Sequence, residues 1–281
     1  MKLLRLTLPL LLCSIALAFT VAKKDRWTQL YNGKDLSGWD TYIRINPEDQ
    51  NKPTADQLTG LNKDPQHVFT VVKDGGENVI RVSGENWGAI ISKSEYENYH
   101  LQLQFKWGAL SWGPKKGQKK DSGLLYNSVG KYGADGGSWM RSQEFQIEEG
   151  NTGDYWGCAG GEADIPADKK SETSYVYNPA GAMTVFSQDS KQGRHCIKQG
   201  DAENPSGQWN TLDLYTHGDT SIHVVNGKVM MVLYHNRQMD NGQETLLTKG
   251  RIQLQSEGAE LFYRHIQIQS IDHLPTELIK Q

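Results

Sequence analysis

The decapeptide Arg141-Ser142-Gln143-Glu144-Phe145-Gln146-Ile147-Glu148-Glu149-Gly150 decides how the chain is read. As an extended strand it places Phe145 and Ile147 on one side. Glu144, Gln146 and Glu148 then fall on the other, because successive side chains alternate. One face suits a core. The opposite face carries two carboxylates around an amide, with Ser142 and Gln146 flanking Glu144.

The same period-two pattern recurs along the chain. Leu101, Leu103, Phe105 and Trp107 alternate with Gln102, Gln104 and Lys106. Leu212 and Leu214 alternate with polar neighbours, and Ile252 and Leu254 with Gln253 and Gln255. Leu261–Ile271 alternates too, with a break in phase at Arg264–Ile266. Asn226-Gly227 marks a two-residue hairpin between strands. No long segment has helical periodicity, and 29 glycines fit frequent turns. The expectation is an all-β sandwich of two packed antiparallel sheets. Asn46–Gln66 and Tyr155–Ser174 read as long loops.

Residues 1–22 read as a secretory signal peptide. Lys2 and Arg5 precede an apolar run, with small residues near Ala18 and Ala22. The run, interrupted by Pro9, is short for a membrane span of roughly 20 residues. Residues 23–281 are then expected to form one β-sandwich domain, exported to the periplasm or beyond. No later segment is long and apolar enough to span a membrane. A net charge of −3 offers no basic field for nucleic acid. Lys115, Lys116, Lys119 and Lys120 read as a solvated loop tip. Of three cysteines, Cys158 and Cys196 would remain after processing. In an oxidising compartment the pair is expected to form a disulfide contributing ~3–4 kcal/mol.

The polar sheet faces favour planar amides and carboxylates over lysine and threonine. Such groups, beside Trp139 and Trp156, suit sugar hydroxyls and apolar C–H faces. Candidate binding residues are Gln102, Gln104, Ser122, Asn127, Gln146 and Gln255. Gly123 lets a neighbour or ligand approach closely. Glu144 and Glu148 are the candidate acid–base or acid–nucleophile pair. Their backbones lie roughly 13 Å apart at about 3.3 Å per residue. Retaining hydrolysis wants carboxyls about 5–5.5 Å apart, so these side chains would have to converge. The histidines show no zinc-motif spacing, and no phosphate loop, dinucleotide fingerprint or Gly-x-Ser-x-Gly occurs.

Several short motifs in fixed order resemble the 3-keto-disaccharide hydrolase domain family. They include Leu30-Tyr31-Asn32-Gly33-Lys34-Asp35-Leu36-Ser37-Gly38-Trp39, Asp121-Ser122-Gly123-Leu124 and Glu144-Phe145-Gln146-Ile147. Gly207-Gln208-Trp209-Asn210, Gly250–Gly258 and Tyr263-Arg264-His265-Ile266 complete the match, which covers nearly the whole processed chain. Asp121 stands where asparagine is commoner, and Asn127 where many members carry arginine or histidine. The resemblance implies a concanavalin A-like jelly roll and a role in sugar breakdown outside the cytoplasm. It also implies a glycoside substrate oxidised to a ketone at C3, with a sugar 3-dehydrogenase acting upstream. Such cleavage needs a base, an acid at the glycosidic oxygen and stabilisation of an enolate. A divalent metal ion is a candidate for that last role. Two further readings stand beside it. One is a non-catalytic carbohydrate-binding module. The other is a laminarinase-type β-glucanase, whose Glu-x-Asp-x-Glu strand is nearly matched except at Gln146.

Overall fold

A computed structural model describes residues 27–44 and 58–280. The proposed signal peptide and most of the first expected loop lie outside the described residues. Two antiparallel sheets, of twelve and nine strands, pack face to face as a concanavalin A-like jelly-roll sandwich. The centre of the larger sheet runs through Lys228–Asp240, Thr220–Val225, Asn210–His217, Tyr99–Ser111 and Ala259–Ser270. The smaller sheet carries the polar face. In spatial order it runs His195–Cys196, Tyr155–Cys158, Arg141–Glu148, Asp121–Val129, Lys249–Ser256, Gly88–Ser92, Trp39–Arg44 and Leu58–Leu61.

Alternation fixes the core. Leu101, Leu103, Phe105 and Trp107 from the larger sheet meet Leu124, Tyr126, Phe145, Ile147, Ile252 and Leu254 from the smaller. Phe145 and Ile147 are fully buried there. Burying a side chain of this kind stabilises by roughly 1.5–3 kcal/mol, so register is strongly specified: a slip of one residue would put Glu144 in the core. Asn226 and Gly227 both have positive φ, as the predicted two-residue hairpin requires. The phase break near Arg264 is a bulge, with His265 at φ +50 and a register shift between Arg264 and Gln267. His223 also faces the core, stacked on Phe145 at 4.1 Å. Burial drives its pKa down to about 3, so it is neutral.

Three expectations need correction. Tyr155–Ser174 is not a loop: it holds strands Tyr155–Cys158 and Gly161–Lys169, joined by Ala159 and Gly160 at positive φ. Pro166 is tolerated because pairing with Lys228–Asp240 ends at Asp164. Leu58–Leu61, inside the other expected loop, is a strand against Tyr42–Arg44.

The expected disulfide is absent, and both thiols are free and buried. Cys196 is paired with Tyr155, whereas Cys158 lies three residues further along that strand. The two thiols therefore point to opposite faces of the sheet. Cys196 packs with Tyr155 in the interior, and Cys158 lies with Leu125 and Trp139 on the outer side. A bridge would have to pass through the sheet. Alkylation of the denatured, unreduced protein is expected to modify both Cys158 and Cys196. A cross-linked peptide joining them in a mass spectrum would contradict this arrangement.

Candidate functional site

The outer face of the smaller sheet forms a cleft of about 290 Å³. Glu144, Gln146 and Glu148 enter from one strand, Asp121 from its neighbour, Gln255 from the strand beyond, and Glu257 from the turn that follows it. Trp156 and Cys158 come from the other side, and His195 and Arg194 from the edge. Trp139, Asp135, Asn151 and Asp154 line the rim, with Lys115 closing one end. The strand quoted first thus forms the floor.

Gly123 makes the floor possible. A Cβ at that position would collide with Glu144 Oε1 and Gln255 Oε1. Both side chains lie over its bare backbone, the close approach that a mid-strand glycine suggests. The Glu144 carboxyl accepts from Cys158 Sγ at 3.3 Å. No arginine, lysine or histidine among the described residues forms an ion pair with it. Burial, reinforced by the negative charge of Asp121, pushes its pKa up to about 8. Asp121 is also raised by burial, to about 6, against the opposing pull of Lys115. Two neighbouring carboxyls are thereby split: near neutral pH Glu144 keeps its proton and Asp121 has largely lost its own. Glu257 is raised as well, by burial and then by the Asp121 charge.

Lys115 ties the acidic end together. Its Nζ donates to Asp121 Oδ2 and lies 3.7 Å from Glu148 Oε1. Burial weakens its ammonium form, but the Asp121, Glu257 and Glu148 charges outweigh that and raise its pKa. Asn151 Nδ2 donates to Glu148 Oε2. Gln255 is 1% exposed, and neither its amide nitrogen nor its oxygen has a partner. Orphaned polar atoms of this kind cost roughly 1–3 kcal/mol each unless something binds them. Gln146 turns its Oε1 back to the Ile147 amide at 3.0 Å.

Glu144, Glu148, Gln146, Gln255, Trp139 and Trp156 therefore meet in one cleft, as their sequence pattern suggests. Four candidates do not. Ser122 faces the core, where Oγ donates to the Gln255 carbonyl and contacts Tyr263 OH, both at 2.9 Å. Asn127 is a buried bulge residue at φ +50, and its Nδ2 donates to Leu247 O at 2.7 Å. Gln102 and Gln104 belong to the larger sheet. They bond there to Asp213 and Thr211, far from the cleft in the topology. Trp139 is already stacked on Trp87 at 5.6 Å, and one face of Trp156 on His195 at 4.3 Å.

Sequence reading missed Lys115, Asp121, Asp135, Asn151, Asp154, Arg194, His195 and Glu257 as site residues. Lys115 is not part of a solvated tip, though Lys116 and Lys119 are exposed. Its stem packs where a Cβ at Gly258 would sit, which aims the amine into the cleft. Among the described residues no three His, Cys, Asp or Glu side chains form a group able to hold a metal ion. Asp121, Glu148 and Asp154 are engaged by Lys115, Asn151 and His195 instead. The divalent ion considered from the resemblance does not fit these residues, and no step is derived through it.

The Glu144 shift makes a signed prediction. The carboxyl titrates near 4.5 unfolded and about 8 folded. Its stabilisation is therefore full below pH 4.5 and is lost as pH rises through 8. Glu144→Gln cannot ionise, so it should gain stability relative to wild type across that window, on the order of a few kcal/mol. Urea midpoints measured from pH 4.5 to 9 would check it, and parallel curves would refute it. Gly123→Ala should fold, since its backbone is an ordinary strand, but should displace the carboxyl and flatten the same pH slope.

Comparison with curated proteins gives no match. Among solved structures, a Parabacteroides distasonis protein provisionally described as a glycosyl hydrolase is 20% identical. The alignment covers 88% of this chain and 100% of that one, with a TM-score of 0.47. A second from the same organism, similarly described, is 17% identical over 88% and 94%, with a TM-score of 0.49. A carbohydrate-binding module from Bacillus subtilis is 8% identical over 72% and 92%, with a TM-score of 0.41. These likenesses are loose. The family match is broad, running over residues 26–269. The chain belongs to the 3-keto-alpha-glucoside-1,2-lyase-like domain family.

Proposed function

We propose that this carbohydrate-active protein cleaves glucosides already oxidised to a ketone at C3, by elimination across C1 and C2. The observation that carries the reading is the Glu144 carboxyl. It sits on the cleft floor and holds its proton up to about pH 8. A departing sugar oxygen needs a proton donor, and a carboxyl tuned near the working pH is a good one. The C3 ketone supplies the other requirement, since it acidifies the proton on C2. Once a base has removed that proton, the enolate collapses to a C1=C2 bond. The C1 oxygen then leaves with the proton of Glu144. Water adding back to the product would make the net change a hydrolysis.

Gln255 fits the developing enolate oxygen, because its amide nitrogen is buried and has no partner. A preorganised donor at such a point is worth several kcal/mol of barrier. Glu148, engaged by Lys115 and Asn151, is placed to hold a hydroxyl rather than to take a proton. We further propose that residues 1–22 direct export and that residues 23–281 act as one domain. A sugar 3-dehydrogenase would supply the substrate.

Purified protein incubated with 3-keto-trehalose and with trehalose is expected to cleave only the keto-sugar, read by mass spectrometry. Glu144→Gln should lose ~10²–10⁴-fold in kcat with an unchanged circular dichroism spectrum. Binding of both sugars without turnover would sink the lyase reading in favour of a binding module. Full activity in Glu144→Gln would remove Glu144 as the donor.

A further inference from the structure

We infer that His195, oriented by Asp154, is the base that removes the C2 proton; this rests on the elimination reading above. His195 Nε2 lies 2.9 Å from Asp154 Oδ2. Asp154 is 2% exposed, and its other oxygen accepts the Lys198 amide at 2.9 Å. With a buried carboxylate accepting from Nε2–H, the ring's lone pair is on Nδ1. That nitrogen has no partner among the described residues, and it is not a buried orphan. The imidazole is part of the cleft lining, with its side chain 29% exposed. Trp156, stacked at 4.3 Å and inclined by 10°, fixes the plane of the ring. A base held in one tautomer and one orientation by a carboxylate is a recurrent catalytic unit.

Position supports the assignment. Glu144 is directly paired with Trp156, and Trp156 with His195. The three lie on one line across neighbouring strands and on the same face. Strand spacing puts the Glu144 and His195 backbones roughly 10 Å apart, on either side of Trp156. A proton donor and a proton acceptor therefore face one cleft from opposite sides. The carboxylates are poorer candidates for the acceptor. Asp121 is clamped by Lys115, Glu148 is engaged twice, and Glu144 is protonated.

The step balances without a further reactant. Nδ1 takes the C2 proton, and its electrons pass to the C3 oxygen as an enolate. Return of those electrons forms C1=C2 and expels the C1 oxygen, which takes the Glu144 proton. The two side chains regain their starting states by exchange with water. Asp154 is a positioning residue here and touches no reacting atom.

Deuterium exchange separates this assignment from the reading it rests on. In Glu144→Gln, 3-keto-trehalose in D2O should gain deuterium at C2 although cleavage is lost. Adding His195→Gln should cut that exchange by ~10²-fold or more. His195→Ala in the same background should recover part of it with added imidazole, which a structural role would not allow. Asp154→Asn should lower kcat while leaving KM near wild type. If wild type cleaves the keto-sugar but the double variant still exchanges at the single-variant rate, this assignment falls alone. No exchange in Glu144→Gln would overturn the stepwise proton removal. No cleavage by wild type would remove the elimination reading and this inference together.

Discussion

A carboxyl group buried without a cation is the constraint on which the cleft depends. Glu144 sits on the outer face of the smaller sheet because Phe145 and Ile147 are held in the core on the inner one. Its depth comes from Gly123, whose missing side chain leaves room for both the carboxyl and the Gln255 amide. Charge there is expensive: an isolated carboxylate removed from water shifts its pKa and stays neutral. The neighbouring strand adds Asp121, whose charge discourages ionisation further, and the turn beyond Gln255 adds Glu257, itself raised by burial and by the same acidic neighbours. Lys115 absorbs part of that negative charge at one end, while Arg194, paired with Asp135 at 2.6 Å, opposes the Glu144 shift without forming an ion pair with it. With both nearby cations paired to other carboxylates, Glu144 is left without an ion pair.

Much of this was legible in the sequence, for one reason. Period-two alternation states which residues share a face, and it assigned Phe145 and Ile147 against Glu144 and Gln146 correctly. A break in that alternation marked the bulge near Arg264, the Asn-Gly pair marked the turn at 226–227, and a glycine inside a strand marked the close approach at Gly123. Alternation does not state which sheet a strand joins, or which face is inner when both are polar. Gln102 and Gln104 match Gln146 in pattern yet belong to the other sheet. Ser122 is polar but faces Tyr263 in the core, so Asp121 and Gly123 face the cleft instead. Cys158 and Cys196 have no local cue to their opposite faces, which follow from the pairing of Tyr155 with Cys196. Lys115 lies in a loop whose sequence looks solvated. Its role depends on a contact with Gly258, more than a hundred residues away.

The site's long-range construction follows from the fold. Asp121–Val129 and Lys249–Ser256 are adjacent strands although distant in the chain, and the His195–Cys196 strand closes the edge. Asp121, Gln255 and Glu144 become neighbours only when the smaller sheet has assembled. Local propensity therefore supplies the surfaces, and sheet order supplies the chemistry.

That arrangement also bears on whether the cleft binds or cuts. A binding surface for neutral sugars has no need of a buried acid. Glutamine at position 144 would offer similar hydrogen bonds without a group that resists ionisation, and the same face already uses Gln146 on this strand and Gln253 and Gln255 two strands away. Keeping a carboxyl there costs stability as pH rises from about 4.5 through about 8, by the linkage between its raised pKa and folding. Such a cost is expected where a proton must be delivered. The orphaned Gln255 amide points the same way, since an unmet donor beside a protonated acid is suited to charge that develops during reaction. An acid on one strand, a carboxylate-oriented imidazole two strands away and an unpaired buried amide lining the same cleft form a set that recognition alone does not require.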